Sequence, residues 1–83
     1  MHALARVREE LVKVVRHIAE EGRIAIRNVR RDIMHDLREL KDAGDVGSDD
    51  EHRGEVELQK LTDGRIAELD GLLKGKESEI MEV

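Results

Sequence analysis

Cysteine, proline, phenylalanine, tyrosine and tryptophan are all absent from this 83-residue sequence. Without cysteine there is no disulfide and no thiolate metal site. Without proline, long helices can continue uninterrupted. Without aromatic rings the chain lacks the stacking platforms of single-stranded nucleic-acid binders, and a large ligand pocket is disfavoured. There is also no apolar run of about 20 residues and no signal-peptide pattern, so we expect a soluble, cytoplasmic protein without a membrane partner.

The charged residues are unevenly distributed along the chain. Residues 1–38 contain nine arginines and lysines against six acids, whereas residues 39–83 contain six against fourteen, which together give the net charge of −5. An acidic chain is not usually expected to bind nucleic acid. A basic surface confined to one helix permits it, because phosphate contacts respond to the local field more than to net charge.

An unbroken helical period runs from about residue 3 to residue 43. Gly44 is placed to end this helix in the left-handed conformation. Ser48–Glu51 matches the S-x-x-E capping box, which predicts a second helix over about residues 49–81. Because the connection over residues 44–48 is short, the two helices should be antiparallel. The sequence therefore predicts an all-α fold, a long antiparallel helical hairpin that forms one domain over the whole chain.

The middle of the first helix carries a stripe of arginines. Its segment Arg23–Arg31 reads RIAIRNVRR. At 100° per residue, four arginines fall within about 60° of one another: Arg16, Arg23, Arg27 and Arg30. The stripe widens to roughly 100° with Arg31, Arg38, Lys13 and Lys41. An apolar arc lies opposite, formed by Val7, Leu11, Val15, Ile18, Ile26, Val29, Ile33, Leu37 and Leu40. This pattern predicts one side that faces a core and one that suits an anionic surface; the alternative is that the arginines are only solvated.

No arrangement of side chains indicates an enzyme. Ser48 is accounted for by capping, Thr62 by packing between the helices, and the glycines are scattered rather than grouped in a phosphate-binding loop. Histidine–acid pairs at helical spacing are the remaining candidates for a metal site: Asp32 with His35, His52 with Glu55, and His17 with Glu20 or Glu21. Bundle metal sites project their ligands inward, whereas His35 lies near the basic edge of its helix and His52 lies in the first turn of the second helix. We therefore predict no metal, no cofactor and no small-molecule substrate, and leave open an introduced ligand at the histidines.

Three stretches carry a likeness to a known family: EELVKVVRHIAEEGRIAIRNVRRD over Glu9–Asp32, SDDEHRGEVELQKLTD over Ser48–Asp63, and KESEIMEV ending at Val83. They occur in the right order and without gaps, within a range that begins at Arg6. Over this range the chain resembles the C-terminal part of bacterial ribosome recycling factor. Several long stretches in order are more specific than a general likeness between coiled coils.

The resemblance implies a fold and a function. Members of this family have a long three-helix bundle, with a mostly β domain inserted after the first helix. They bind the large ribosomal subunit after termination and split the ribosome together with elongation factor G. Their bundle contacts large-subunit ribosomal RNA through arginines of the RNVRRD segment, which implies RNA-binding roles for Arg27, Arg30 and Arg31, with Arg23 just upstream.

The sequence departs from the family pattern in several places. The family's first helix and β domain have no counterpart before Arg6. Ile33-Met34-His35 stands where a smaller, more polar run is expected, and Gly22 and Gly64 stand where helix formers are usual. We therefore interpret the chain as a truncated or engineered derivative of the bundle that contacts large-subunit ribosomal RNA, and do not expect full recycling activity. The alternative is a self-associating helical scaffold, engineered or selected, without ribosomal function.

Two helices alone cannot bury the predicted apolar arcs. These cover about 160° of the first helix and about 140° of the second, so pairing leaves a strip that includes Leu4, Leu11, Ile18 and part of the Leu58–Leu73 face. Gly22 lies at the centre of the first arc, where a glycine permits close approach of a neighbour. We expect two hairpins to pair as a homodimer, an antiparallel four-helix bundle, with or without exchange of the long helices.

Overall fold

The computed structural model describes residues 2–82 and consists of two long helices. Helix α1 spans His2–Asp42 and helix α2 spans Ser48–Met81, and there is no strand within residues 2–82. The two helices lie side by side in opposite directions, and their Cα atoms occupy a slab of 65 × 15 × 9 Å. The predicted all-α antiparallel hairpin is confirmed. Met1 and Val83, which the sequence analysis included in the domain, lie outside the described residues.

Helix α1 ends in a Schellman motif centred on Gly44. This glycine has φ +80°. Its N–H donates to the carbonyl of Lys41 at 2.9 Å, and the N–H of Asp45 donates to the carbonyl of Leu40 at 2.9 Å. Both bonds satisfy carbonyls that the end of a helix otherwise leaves without partners. Because a Cβ is strained at this φ, glycine is required here, and the assignment of Gly44 as the residue that ends α1 is confirmed.

The start of α2 differs from the prediction. The N-cap residue is Gly47, with φ −80° and ψ 165°, and the N–H of Glu51 donates to the Gly47 carbonyl at 2.9 Å. Ser48 is therefore the first helical residue, and no side chain of residues 2–82 caps the helix. The predicted Ser48–Glu51 capping box is wrong, because the N-cap residue must have non-helical backbone angles and Gly47 already occupies that position. Three acidic residues in the first turn still favour the positive end of the helix dipole.

Two glycines allow leucines to approach the opposite helix closely. A Cβ placed on Gly22 would stand 3.1 Å from Cδ2 of Leu69, and one placed on Gly54 would stand 3.3 Å from Cδ1 of Leu37. Each contact is tighter than an ordinary van der Waals contact between carbons. The close approach predicted at Gly22 is thus confirmed, and Gly54 provides a second one near the turn.

The contact between the helices is narrow. Ala19 and Thr62 are 3% and 5% exposed and are the two buried residues within 2–82. The hydroxyl of Thr62 donates to the carbonyl of Leu58, one turn earlier, at 2.7 Å, so this buried polar group is satisfied. The predicted packing of Thr62 between the helices is confirmed. No helix within residues 2–82 is both long enough and apolar enough to cross a membrane.

The hairpin presents two different faces on either side of this contact. The apolar face consists of Leu4, Leu11, Ile18, Val29, Ile33 and Leu40 from α1, and Leu58, Leu61, Leu69 and Leu72 from α2. The charged face consists of Arg16, Arg23, Arg27, Arg30 and Arg31 from α1, and Gln59, Asp63, Asp70 and Glu77 from α2. The predicted strip on α1 is solvent-exposed, with Leu4, Leu11 and Ile18 at 53%, 46% and 60%. A slab only two helices wide cannot cover both faces.

Candidate nucleic-acid interface

A ladder of polar contacts joins the helices along the charged face. On α1, Arg16, Arg23 and Arg30 are one heptad apart, so they recur on the same side of the helix. On α2, Glu77, Asp70 and Asp63 recur at the same interval in the opposite direction. The two heptad series therefore meet in register, as the edge positions of an antiparallel coiled coil do.

Arg23 forms the strongest rung of this ladder. Its Nε donates to Oδ1 of Asp70 at 2.8 Å, its Nη2 lies 2.6 Å from the same oxygen, and its Nη1 donates to Oε2 of Glu20 at 2.9 Å. The side chain is 20% exposed. The hydrogen bond to Asp70, and then that to Glu20, raises the pKa of Arg23 above its ordinary value. Two carboxylates thus share this guanidinium and neutralise its charge locally.

The other two rungs differ in charge. Nε of Arg16 donates to Oε1 of Glu77 at 2.7 Å, and this hydrogen bond raises the pKa of Arg16. Nη1 of Arg30 donates instead to Oε1 of Gln59 at 2.8 Å, and Nε2 of Gln59 donates to Asp63 at 2.9 Å. Arg30 is therefore hydrogen-bonded to a neutral amide, which in turn donates to a carboxylate. The positive charge of Arg30 is less neutralised than that of Arg23.

Arg27 and Arg31 complete the set of four predicted RNA-binding arginines, and both are exposed. Neither forms an ion pair with any residue in the part of the chain that the structure describes. Arg38, one heptad beyond Arg31, is exposed and unpaired among residues 2–82 in the same way. The charged face thus divides into an inner row of arginines held by α2 and an outer row, Arg27, Arg31 and Arg38, whose guanidinium groups are available to a ligand.

A shallow groove of about 310 Å³ lies between α1 and α2 on the charged face. It is lined on one side by Arg27 and Arg30 and on the other by Gln59, Asp63 and Asp70. The carboxylates on the α2 side repel phosphate, so an anionic ligand meets the most favourable field on the α1 side, away from α2. The α1 side of the groove can hold phosphates by charge-assisted hydrogen bonds.

The sequence comparisons bear on the same residues. The profile of the family described as "Ribosome recycling factor" matches residues 5–81. The chain belongs to the ribosome recycling factor family. All four predicted arginines and the whole ladder lie within the matched range.

Relatives within the ribosome recycling factor family support the assignment along most of the chain. The ribosome-recycling factor of Rubrobacter xylanophilus is 57% identical over 76 residues, which is 92% of this chain and 41% of that protein. Those of Fervidobacterium nodosum and Alcanivorax borkumensis are 52% and 50% identical, again over 41% of their length. The chain therefore spans about two fifths of the length of the curated relatives it matches.

Two of the four histidines lie beside acids one helical turn away. Nε2 of His17 lies 2.6 Å from Oε1 of Glu21, and Nε2 of His35 lies 3.0 Å from Oε1 of Glu39. All four side chains are exposed on α1. Among residues 2–82 there is no group of three or more histidine, cysteine or acidic residues that could hold a metal ion. Among the pairs considered from the sequence, His17 thus contacts Glu21, whereas His35 contacts Glu39 instead of Asp32.

Sequence reasoning overlooked the acidic half of the ladder. The signal was available, because Asp63, Asp70 and Glu77 recur at heptad spacing on α2 as the arginines do on α1. A helical wheel of α1 alone groups the arginines but does not indicate which of them α2 holds. That division becomes visible only when both helices are aligned from the turn outward.

Proposed function

We propose that this chain is a translation-related binding module that contacts RNA of the large ribosomal subunit through the outer row of its charged face. The observation that carries the proposal is the exposure of Arg27 and Arg31, which have no ion pair within residues 2–82. Membership of the ribosome recycling factor family supports the ribosome as the partner. The resemblance of RNVRRD to the family's RNA-contacting segment points to the same side of α1.

The four arginines have unequal roles in this proposal. Arg27 and Arg31 bind phosphates directly, because their planar guanidinium groups can each donate two parallel hydrogen bonds to a phosphate. Arg30 contributes its field and its remaining Nη donors, since its Nε is buried and its Nη1 donates to Gln59. Arg23 contributes least, because Asp70 and Glu20 already occupy three of its contacts.

The kind of RNA follows from what the arginines can recognise. The chain has no aromatic side chain, so unpaired bases have no stacking platform. Guanidinium groups along one side of a straight helix instead suit the regularly spaced phosphates of folded RNA. Recognition is therefore by backbone and shape rather than by sequence.

The test is the salt dependence of binding by the full chain to purified large subunits and to a large-subunit ribosomal RNA transcript. Each phosphate neutralised contributes roughly 0.7–0.9 to the slope of log K against log salt concentration. In the double variant Arg27→Ala, Arg31→Ala the slope should fall by about 1.4–1.8 and binding should weaken, while helicity by circular dichroism stays unchanged.

A matched control removes two positive charges from the outer side of α2. Arg53→Ala, Lys60→Ala changes the net charge by the same amount, and both residues are exposed and distant from the outer row. This control should leave the slope nearly unchanged. Equal losses for both double variants would mean that only net charge matters, and unaltered binding by Arg27→Ala, Arg31→Ala would reject the proposed surface.

Ribosome splitting is a separate activity. Relatives named for ribosome recycling are more than twice as long as the segment they share with this chain. We propose that the chain retains an RNA contact of the family without the full recycling reaction.

A further inference from the structure

The first two rungs of the ladder on the charged face are built alike. The Nε of Arg16 donates to Glu77 at 2.7 Å, and the Nε of Arg23 donates to Asp70 at 2.8 Å. The two arginines are one heptad apart on α1, and the two carboxylates are one heptad apart on α2. This register sets the next arginine of the series opposite the next carboxylate.

The third rung departs from that pattern. Its arginine and carboxylate are Arg30 and Asp63, and no ion pair joins them within residues 2–82. Gln59 stands between them. Its Oε1 accepts from Nη1 of Arg30 at 2.8 Å, and its Nε2 donates to Oδ1 of Asp63 at 2.9 Å. A neutral amide thus replaces the direct contact between opposite charges that the other two rungs have.

The Nε of Arg30 differs from its counterparts in the same way. It is buried and has no hydrogen-bond partner within residues 2–82, although Nε is the atom that donates to the carboxylate in the first two rungs. A buried donor without a partner is unfavourable, because it gives up its hydrogen bonds to water and gains none. A direct ion pair with Asp63 would relieve this, so the interrupted rung calls for an explanation other than stability.

The amide changes what Arg30 can offer to a ligand. Arg30 lines the α1 side of the groove together with Arg27. Because an amide carries no charge, Gln59 can hold the guanidinium in place without neutralising it. A carboxylate at the same position would both hold it and neutralise it, as Asp70 does for Arg23. The Nη donors that Gln59 does not use therefore belong to a charged and fixed group.

We propose that Gln59 is a positioning residue for RNA binding. It holds Arg30 as a charged phosphate ligand and, by donating to Asp63, keeps that carboxylate from pairing with the arginine. The inference rests on the proposed function, because it adds Arg30 to the outer row as a third phosphate contact. Arg30 is then the arginine of the inner row that binds RNA, since the other two are paired directly with carboxylates.

The variant that tests this role is Gln59→Glu, which keeps the size of the side chain and makes the third rung an ion pair. Binding of the full chain to purified large subunits is measured over a range of salt concentrations. The slope of log K against log salt concentration should become shallower by roughly 0.7–0.9, the share of one phosphate, and affinity should fall. Helicity by circular dichroism should not change.

Lys60→Gln is the matched control. It makes the same change of one charge unit at the neighbouring residue, which is exposed and lies about 100° further around α2. Its slope should stay close to that of the parent chain. If Gln59→Glu and Lys60→Gln alter the slope equally, the effect belongs to net charge and the inference is overturned.

A double-mutant cycle shows whether Gln59 acts through Arg30. In the Arg30→Ala background, Gln59→Glu should produce no further change in the slope, because the group on which the amide acts is absent. A merely structural role of Gln59 would weaken binding with or without Arg30. Equal losses in the two backgrounds would therefore contradict the inference.

A second variant separates the hydrogen bonds of the amide from its volume. Gln59→Met removes both hydrogen bonds with little change in size, and the register then lets Asp63 pair with Arg30 directly. The slope should again become shallower, and Gln59→Met, Asp63→Asn should restore it by removing that carboxylate. If Gln59 only fills space between the helices, Gln59→Met keeps the parent slope and the inference is wrong.

The outcomes distinguish this inference from the proposed function. Unaltered binding by Arg27→Ala, Arg31→Ala rejects the RNA surface and the role of Gln59 with it. If that double variant weakens binding while Gln59→Glu behaves like the parent chain, the RNA surface stands and the role of Gln59 alone is rejected.

Discussion

Arg23 and Asp70 are joined by two short contacts across the hairpin, from Nε at 2.8 Å and from Nη2 at 2.6 Å to the same carboxylate oxygen. They are separated by 47 positions in the sequence, and the turn at Gly44 brings them together. The carboxylate occupies the side of the guanidinium that a phosphate would otherwise use. Asp70 is thus an internal competitor for one of the four arginines predicted to bind RNA.

The first prediction follows from this competition. Asp70→Ala should release Arg23 to bind one further phosphate, so RNA affinity rises and the salt slope steepens by about 1. The Tm should fall slightly, because partly exposed ion pairs contribute little to stability. Glu57→Ala is the control, since it makes the same charge change on the exposed outer side of α2. If RNA affinity rises equally in both variants, the change in net charge is the cause and not the released arginine.

The second prediction compares two glycines in helix interiors. Nothing lies within 4 Å of a Cβ placed on Gly71, so Gly71→Ala should stabilise the fold by about 1 kcal/mol through helix propensity. Gly22→Ala should gain less or lose stability, because its Cβ would stand 3.1 Å from Leu69. Urea unfolding followed by circular dichroism measures both. Equal gains would mean that the approach of Leu69 does not constrain the hairpin.

The third prediction concerns the two glycines of the turn. Gly44→Ala forces a Cβ into a conformation with φ +80° and should cost about 1 kcal/mol. Gly47→Ser should instead stabilise by a few tenths of a kcal/mol, because serine at the N-cap can accept a hydrogen bond from the start of α2. Thermal unfolding of the two single variants beside the parent chain should give shifts of opposite sign. A stabilising Gly44→Ala would contradict the role given to the Schellman motif.

The fourth prediction separates RNA binding from recycling. The chain shares only 41% of the length of its curated relatives, so we expect that it does not restore growth to bacteria depleted of their own ribosome recycling factor. A full-length relative expressed at the same level serves as the positive control. Restored growth with this chain alone would show that the hairpin suffices for recycling.

The sequence predicted the hairpin because its strongest signals are local. A helical period without proline, followed by a glycine at the end, depends only on neighbouring residues. The capping box failed for a related reason. S-x-x-E identifies the region where a helix begins, but Gly47 and Ser48 are both acceptable N-cap residues, and the pattern does not choose between them.

The division of the arginines could not be predicted in the same way. Arg23 and Arg27 look equivalent on a wheel of α1, and only the position of α2 makes one paired and the other free. The position of α2 depends on how the two helices are aligned, and this alignment involves residues that are distant in the sequence, such as Asp70. The wheel therefore groups the arginines on one side of α1, while the carboxylate that holds Arg23 was not anticipated.

The ladder by itself does not determine how the two helices are aligned. Sliding α2 by one heptad would still place Arg16 beside Asp70 and Arg23 beside Asp63, so two rungs could form again, although Arg30 would lose its partners. The packing around Gly22 does not tolerate both alignments. In the shifted arrangement Leu69 would meet Val15 instead of Gly22, and two bulky side chains would compete for the space of one. The missing side chain at Gly22 thus favours the observed alignment, and together with the short turn at Gly44 it fixes which carboxylate each arginine meets.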